Sequence, residues 1–192
     1  MKVIENNIKN ELIVKNSKFI TLLYNIKNQE DINNILMDVK KNYKKATHYC
    51  YAYILDDIKY ANDDGEPSGT AGPPILNVLE KNKLTNILCI VVRYYGGIKL
   101  GAGGLIRAYG KSVREALLQA TLKDVIDGYV VTFELDYDLI TTINSLINNY
   151  KVLSKVFEEK IKYSIFLDTL DDEVLRSLNE LNIKYEVEKK CL

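Results

Sequence analysis

Tyr49, Tyr51 and Tyr53 recur at every second position. That period predicts a strand over residues 49–55, with the three rings on one face and His48 and Cys50 alternating on the other. Residues 12–14 and 19–24 read as two further strands, turning at Asn16, Ser17 and Lys18. Ile32, Ile35, Leu36 and Val39 follow helical spacing, and Asn28 or Asp31 suits the cap before them. Residues 56–72 are expected to form a loop, with Pro73 or Pro74 in the first turn of a short helix through Leu79. Residues 87–92 are apolar throughout, which fits a strand covered on both sides. Leu105, Tyr109, Val113, Ala116, Leu117 and Ala120 then make a stripe of 3.6-residue period. The opposite side of that helix carries Arg107, Lys111 and Arg114, spaced by four and three and therefore in one row.

From residue 123 the rhythm changes. Strand residues over 125–137, a helix capped by Asp138, strands at 152–157 and 161–167, a helix capped by Asp171 and a final strand through Ile183, Tyr185 and Val187 follow in the order β-α-β-β-α-β, the ferredoxin-like pattern. Two domains are expected, 1–122 and 123–192, in an α+β fold with no Pro/Gly-rich linker between them.

Nine of the ten glycines and all three prolines fall between Gly65 and Gly110. Glycine permits positive φ and close approach of another group to the backbone, so this window is expected to build a specialised surface. Two nucleotide signatures fail there. Gly110-Lys111-Ser112 ends like a phosphate-binding loop, but the required earlier glycine falls at Leu105, and the tripeptide lies inside a helix. Gly101-Ala102-Gly103 would need glycine at Ile106 to make a dinucleotide fingerprint. What remains is a glycine turn, Gly96, Gly97, Gly101, Gly103 and Gly104, feeding a helix start where backbone N–H groups and the helix dipole favour an anion. Arg93, Lys99, Arg107, Lys111 and Arg114 are the candidate cations around it, and Tyr94 and Tyr95 are candidate stacking residues. Tight turns and a solvated helix face remain the alternative for the same residues.

Asp63, Asp64 and Glu66 put three carboxylates in four residues, a candidate oxygen site for a hard cation and equally ordinary turn chemistry. The only histidine, His48, with Cys50 makes two ligands, too few for zinc. Net formal charge is zero, but residues 1–122 carry 17 Lys and Arg against 12 Asp and Glu, and residues 123–192 carry 9 against 14. The first part is thus basic by five and the second acidic by five. Cys50 and Cys89 sit in apolar runs and read as small buried hydrophobes. The N-terminus lacks the apolar core of a signal peptide, and no stretch approaches a membrane span, so a soluble, cytoplasmic protein is expected.

Asn62 to Leu76 (NDDGEPSGTAGPPIL) and Val91 to Gly110 (VVRYYGGIKLGAGGLIRAYG) resemble the signature of the IMPACT/YigZ family. Lys18-Phe19-Ile20 and Ala46-Thr47-His48-Tyr49-Cys50 resemble its earlier motifs, while Pro73 and Lys99 depart from its usual pattern. The resemblance implies a first domain like domain IV of elongation factor G and a second like its domain V, which in that factor approach the ribosome and tRNA. It also implies kinship with eukaryotic regulators of translation that act through protein partners. The leading expectation is therefore a translation-associated regulatory protein that binds RNA or the ribosome through the glycine-rich basic surface. No cofactor or membrane is expected, and the oligomeric state is left open. The alternatives are a metal-dependent phosphoryl-transfer or hydrolytic enzyme using Asp63, Asp64 and Glu66, and a protein-interaction module in stress regulation.

Overall fold

The doubly covered apolar run becomes the middle strand of a five-stranded sheet. The computed structural model describes residues 1–191 and divides the chain into two units, Met1–Asp124 and Val125–Leu192. Along the first run β1 (Lys2–Ile4), β2 (Ile8–Val14), β3 (Ser17–Asn25), α1 (Gln29–Asn42), β4 (His48–Leu55), β5 (Ile58–Asn62), α2 (Gly72–Lys81), β6 (Ile87–Tyr94), α3 (Ala102–Leu117) and β7 (Leu122–Asp124). The sheet order is β2-β3-β6-β4-β5, antiparallel throughout, and β1 pairs with β7 separately.

Alternation along β6 builds two cores. Ile87, Cys89 and Val91 join Ile75 and Leu79 of α2 and Tyr109 and Val113 of α3. Leu88, Ile90 and Val92 face the other way and join Ile32 and Val39 of α1. Tyr49, Tyr51 and Tyr53 line this α1 side, so their shared face serves packing. A strand apolar at every position is what burial on both faces requires. Asn28 caps α1 by accepting from Asp31 N–H at 2.9 Å, and the Asp31 carboxylate in turn accepts from Lys27 N–H at 2.7 Å.

Several boundaries differ from expectation. Residues 58–62 pair with β4 instead of forming loop, through a two-residue turn in which Asp56 takes φ +50°. β5 is an edge strand with an exposed start, so it shows no apolar run to read. β2 begins at Ile8, and β1 and β7 carry no pattern that predicts them. The expected boundary after Leu122 falls inside β7, whose pairing with β1 ties it to the first unit.

The second unit runs β8 (Asp127–Leu135), a 3-10 turn (Tyr137–Leu139), α4 (Ile140–Leu146), β9 (Lys151–Phe157), β10 (Ile161–Leu167), α5 (Glu173–Glu180) and β11 (Tyr185–Cys191), with sheet order β11-β8-β10-β9. This is the predicted β-α-β-β-α-β order. Phe133, Tyr163, Ile143 and Leu178 belong to its single core. Asp172, not Asp171, caps α5, accepting from Val174 N–H at 2.9 Å. Asp138 lies in the 3-10 turn and makes no cap to α4. Among the described residues no helix is long and apolar enough to cross a membrane.

Candidate nucleic-acid interface

The link from β6 to α3 is seven residues long, and glycine shapes its course. A Cβ on Gly96 would lie 2.0 Å from the Asn16 carbonyl carbon, so only glycine lets this link press against the turn between β2 and β3. Gly96 N–H donates to Ser17 Oγ at 3.1 Å, and Tyr95 N–H donates to Thr47 Oγ1 at 3.0 Å. Those two amides are therefore bonded internally and are not offered to an anion. Gly97 and Gly101 take φ of +84° and +72°, where a side chain would be strained. α3 then begins at Ala102 with no side-chain cap. The first-turn amides of Ala102, Gly103 and Gly104 have no partner within the helix by geometry, and they sit at the positive end of its dipole.

The candidate cations divide into two groups. Lys99, Arg107, Lys111 and Arg114 are all exposed. Arg107 folds back toward the helix start, so that a Cβ on Gly103 would sit 3.5 Å from its Nη1. Arg114 lies over Gly110 in the same way, with Nη1 3.1 Å from such a Cβ. Both follow the lean of helical side chains toward the N-terminus. The three helical cations span about 10 Å of axis. Lys111 is shared with Glu115, one turn on, at 3.6 Å.

Arg93 stands apart, and this corrects its expected place on the surface. It occupies the same face of β6 as Cys89 and Val91 and is only 5% exposed. Its Nη1 donates to Glu66 Oε1 at 2.6 Å and its Nη2 to Ser17 Oγ at 3.4 Å. A buried guanidinium bound to a buried carboxylate is not available to an external phosphate. The tyrosines also part company. Tyr94 turns to the α1 side, its hydroxyl donating to the Lys44 carbonyl at 3.3 Å. Tyr95 stays 46% exposed, with the Arg93 guanidinium 5.5 Å from its ring centre.

Each carboxylate of the acidic segment has internal work. Asp63 Oδ1 accepts from Ala71 and Gly72 N–H at 2.9 and 2.8 Å, and its Oδ2 from Gly69 N–H at 2.8 Å. Burial alone would raise the Asp63 pKa, but these three amides outweigh it and hold the carboxyl below its usual range. Asp64 Oδ2 accepts from Tyr49 N–H at 2.6 Å. Glu66 Oε1 accepts from Arg93 and also from the Tyr109 hydroxyl at 2.7 Å. The three do not converge on one point, and among the described residues no group of three or more His, Cys, Asp or Glu could hold a metal ion. His48 Nδ1 lies 2.8 Å from the Asp64 carbonyl, and its Nε2 lies 3.9 Å from Glu66 Oε2. Cys50 Sγ donates to the Asp63 carbonyl at 2.9 Å and lies 3.2 Å from the Tyr109 hydroxyl. Burial pushes the pKa of its thiol up to about 12 and raises that of the Tyr109 hydroxyl as well.

Sequence reasoning missed the residues that hold the turn in place: Ser17, Thr47, and Glu66 as the partner of Arg93. The signal for Arg93 was present in strand parity, since it lies four residues after Cys89 on an apolar strand. Its partner, 27 residues earlier and on the far side of α2 in the chain, has no local signature.

An antiparallel sheet with helices on both faces, followed by a second unit of β-α-β-β-α-β order, defines a two-unit α+β protein. A model of the Impact N-terminal domain matches residues 15–117. The chain is 38% identical over 165 residues to the IMPACT family member YvyE of Bacillus subtilis (strain 168), covering 83% of this chain and 76% of that one. It is 38% identical over 139 residues to the IMPACT family member YigZ of Escherichia coli (strain K12), covering 70% and 68%. The crystal structure of a hypothetical protein superimposes with a TM-score of 0.67 at 29% identity, covering 96% of this chain and 95% of that one. The chain belongs to the IMPACT family.

Proposed function

We propose that this protein is a translation-associated regulator that binds RNA, free or in the ribosome, through the face formed by the glycine link and α3. The observation that carries the reading is the exposed set Lys99, Arg107, Lys111 and Arg114 beside an uncapped helix start. Phosphate contacts by such cations supply affinity and position without reading sequence. Arg93 is excluded from the set because Glu66 already neutralises it. The link to translation rests on family resemblance; the likeness to domains IV and V of elongation factor G that this resemblance implies is an analogy of fold.

The test is a salt titration of RNA binding combined with ribosome co-sedimentation. Arg107→Glu with Lys111→Glu is expected to abolish co-sedimentation. It should also flatten the slope of log affinity against log salt by about 0.7 for each single-strand phosphate that the protein no longer neutralises. Both side chains are exposed, so the melting temperature should hold. Unchanged co-sedimentation by a folded double variant would overturn the reading.

A further inference from the structure

Tyr95 is built as an anchored platform: an exposed aromatic ring on a rigid mount, in the same glycine link as Lys99, one of the cations proposed to hold phosphate. Its backbone is fixed on both sides: its own N–H is bonded to Thr47, and the next residue, Gly96, is pressed on Asn16 and bonded to Ser17. Beneath the ring lies the guanidinium of Arg93, 5.5 Å from the Tyr95 ring centre and 5.4 Å from that of Phe19. Arg93 cannot drift, because Glu66 holds Nη1 and Glu66 is itself held by Tyr109. The Nε of Arg93 is buried with no hydrogen-bond partner, so attraction to the two rings is what this edge of the cation retains. Phe19 in turn packs edge-on against Tyr109 at 5.2 Å. The chain Tyr109, Phe19, Arg93, Tyr95 thus runs from the core to the surface and ends in a half-exposed ring. The following positions, Gly96 and Gly97, carry no side chain to crowd it.

We infer that Tyr95 stacks on an unpaired nucleobase, so that the RNA recognised by this face is single-stranded rather than duplex. The inference rests on the proposal that this face binds RNA, and narrows it. A base in a duplex offers its face to its neighbours, whereas a splayed base in a single strand or loop can lie on an aromatic ring while cations hold the flanking phosphates. A ring on a fixed backbone, with the Arg93 guanidinium against one side, has less conformational freedom to lose on binding. The contact is sequence-tolerant, because every base has a π-face.

The chain contains no tryptophan, so Tyr95→Trp creates a lone indole reporter at the site. Its fluorescence is expected to be quenched by single-stranded RNA, and to be unaffected by duplex RNA of equal charge or by inorganic polyphosphate. Tyr95→Ala should weaken single-strand binding by roughly 10-fold, leave the salt slope unchanged and leave duplex binding unchanged, while Tyr95→Phe should bind as the parent does. Circular dichroism of each variant reports on folding. If a folded Tyr95→Ala protein binds single strands as the parent does, while the Arg107→Glu, Lys111→Glu variant does not, stacking is overturned and phosphate binding stands. If neither variant changes binding, the RNA reading itself fails. Equal quenching by duplex, or quenching by a protein partner alone, also overturns the inference.

Discussion

At the residue scale the most consequential pairing is Glu66 with Arg93. Their side chains are 3% and 6% exposed. A buried ion pair adds little over a well-packed apolar pair, but removing one partner strands the other charge out of water. We expect Arg93→Leu to destabilise the protein by about 3–5 kcal/mol for this reason. Adding Glu66→Gln, which keeps an acceptor for Tyr109 while removing the charge, should restore a large part of that loss. Chemical denaturation of the two variants measures the difference, and equal midpoints would contradict a stranded-charge origin. The same residues mark the limit of what local pattern reveals. Parity alone put Arg93 on the inner face of its strand, yet a lone Arg beside two tyrosines and two glycines reads naturally as surface chemistry. Only the long-range partner decides between the two. Cys50 and Cys89 were legible as buried because apolar neighbours on a strand leave a thiol no other place, and both are buried.

At the element scale, α2 shows how the acidic segment serves architecture. Pro73 and Pro74 have no N–H, so they remove two of the orphan donors that a helix start must satisfy. The amides of Ala71 and Gly72 remain, and Asp63 Oδ1 accepts from both. A Cβ on Gly72 would lie 2.6 Å from the Asn62 backbone nitrogen, so the helix start also needs glycine to reach the segment that caps it. The Pro turn was readable in the sequence; the cap, nine residues away, was not. The strands with clear period or apolar runs, β3, β4 and β6, were readable too, whereas β5 and the three-residue β1 and β7 lack enough residues or buried faces to show a pattern. Because the folded carboxyl of Asp63 is held below its usual range, its contribution is fully present above the unfolded value near 3.9. That contribution drains away as pH falls through the lower folded value. We expect Asp63→Asn to lose stability at neutral pH and to show a shallower further loss between about pH 5 and pH 2 than the parent. Asp63→Ala should cost about 1–2 kcal/mol as a lost cap. Thermal melts across that pH range read both effects, and parallel pH profiles for parent and Asp63→Asn would refute the assignment.

At the scale of the whole molecule, charge and core point to a division of labour. Both cores flanking the five-stranded sheet draw only on residues of the first unit, and the core of the second unit only on its own. Neither set of buried side chains therefore needs the other unit to be complete. The excess of five basic residues lies in the first part and the excess of five acidic residues in the second, so a polyanion is drawn to one and repelled by the other. It follows that residues 1–124 made alone should fold cooperatively and bind single-stranded RNA, with a salt slope at least as steep as that of the full chain. Because an attached acidic unit repels a polyanion, the fragment's affinity at low salt should be equal or higher, the gap closing as salt screens the field. Residues 125–192 alone should not bind RNA at any salt. Titrations of both fragments against the full chain at about 50 and 200 mM salt decide it. Binding that survives only in the full chain would mean that the face on α3 is not sufficient, and that the acidic unit takes part in a way its net charge argues against.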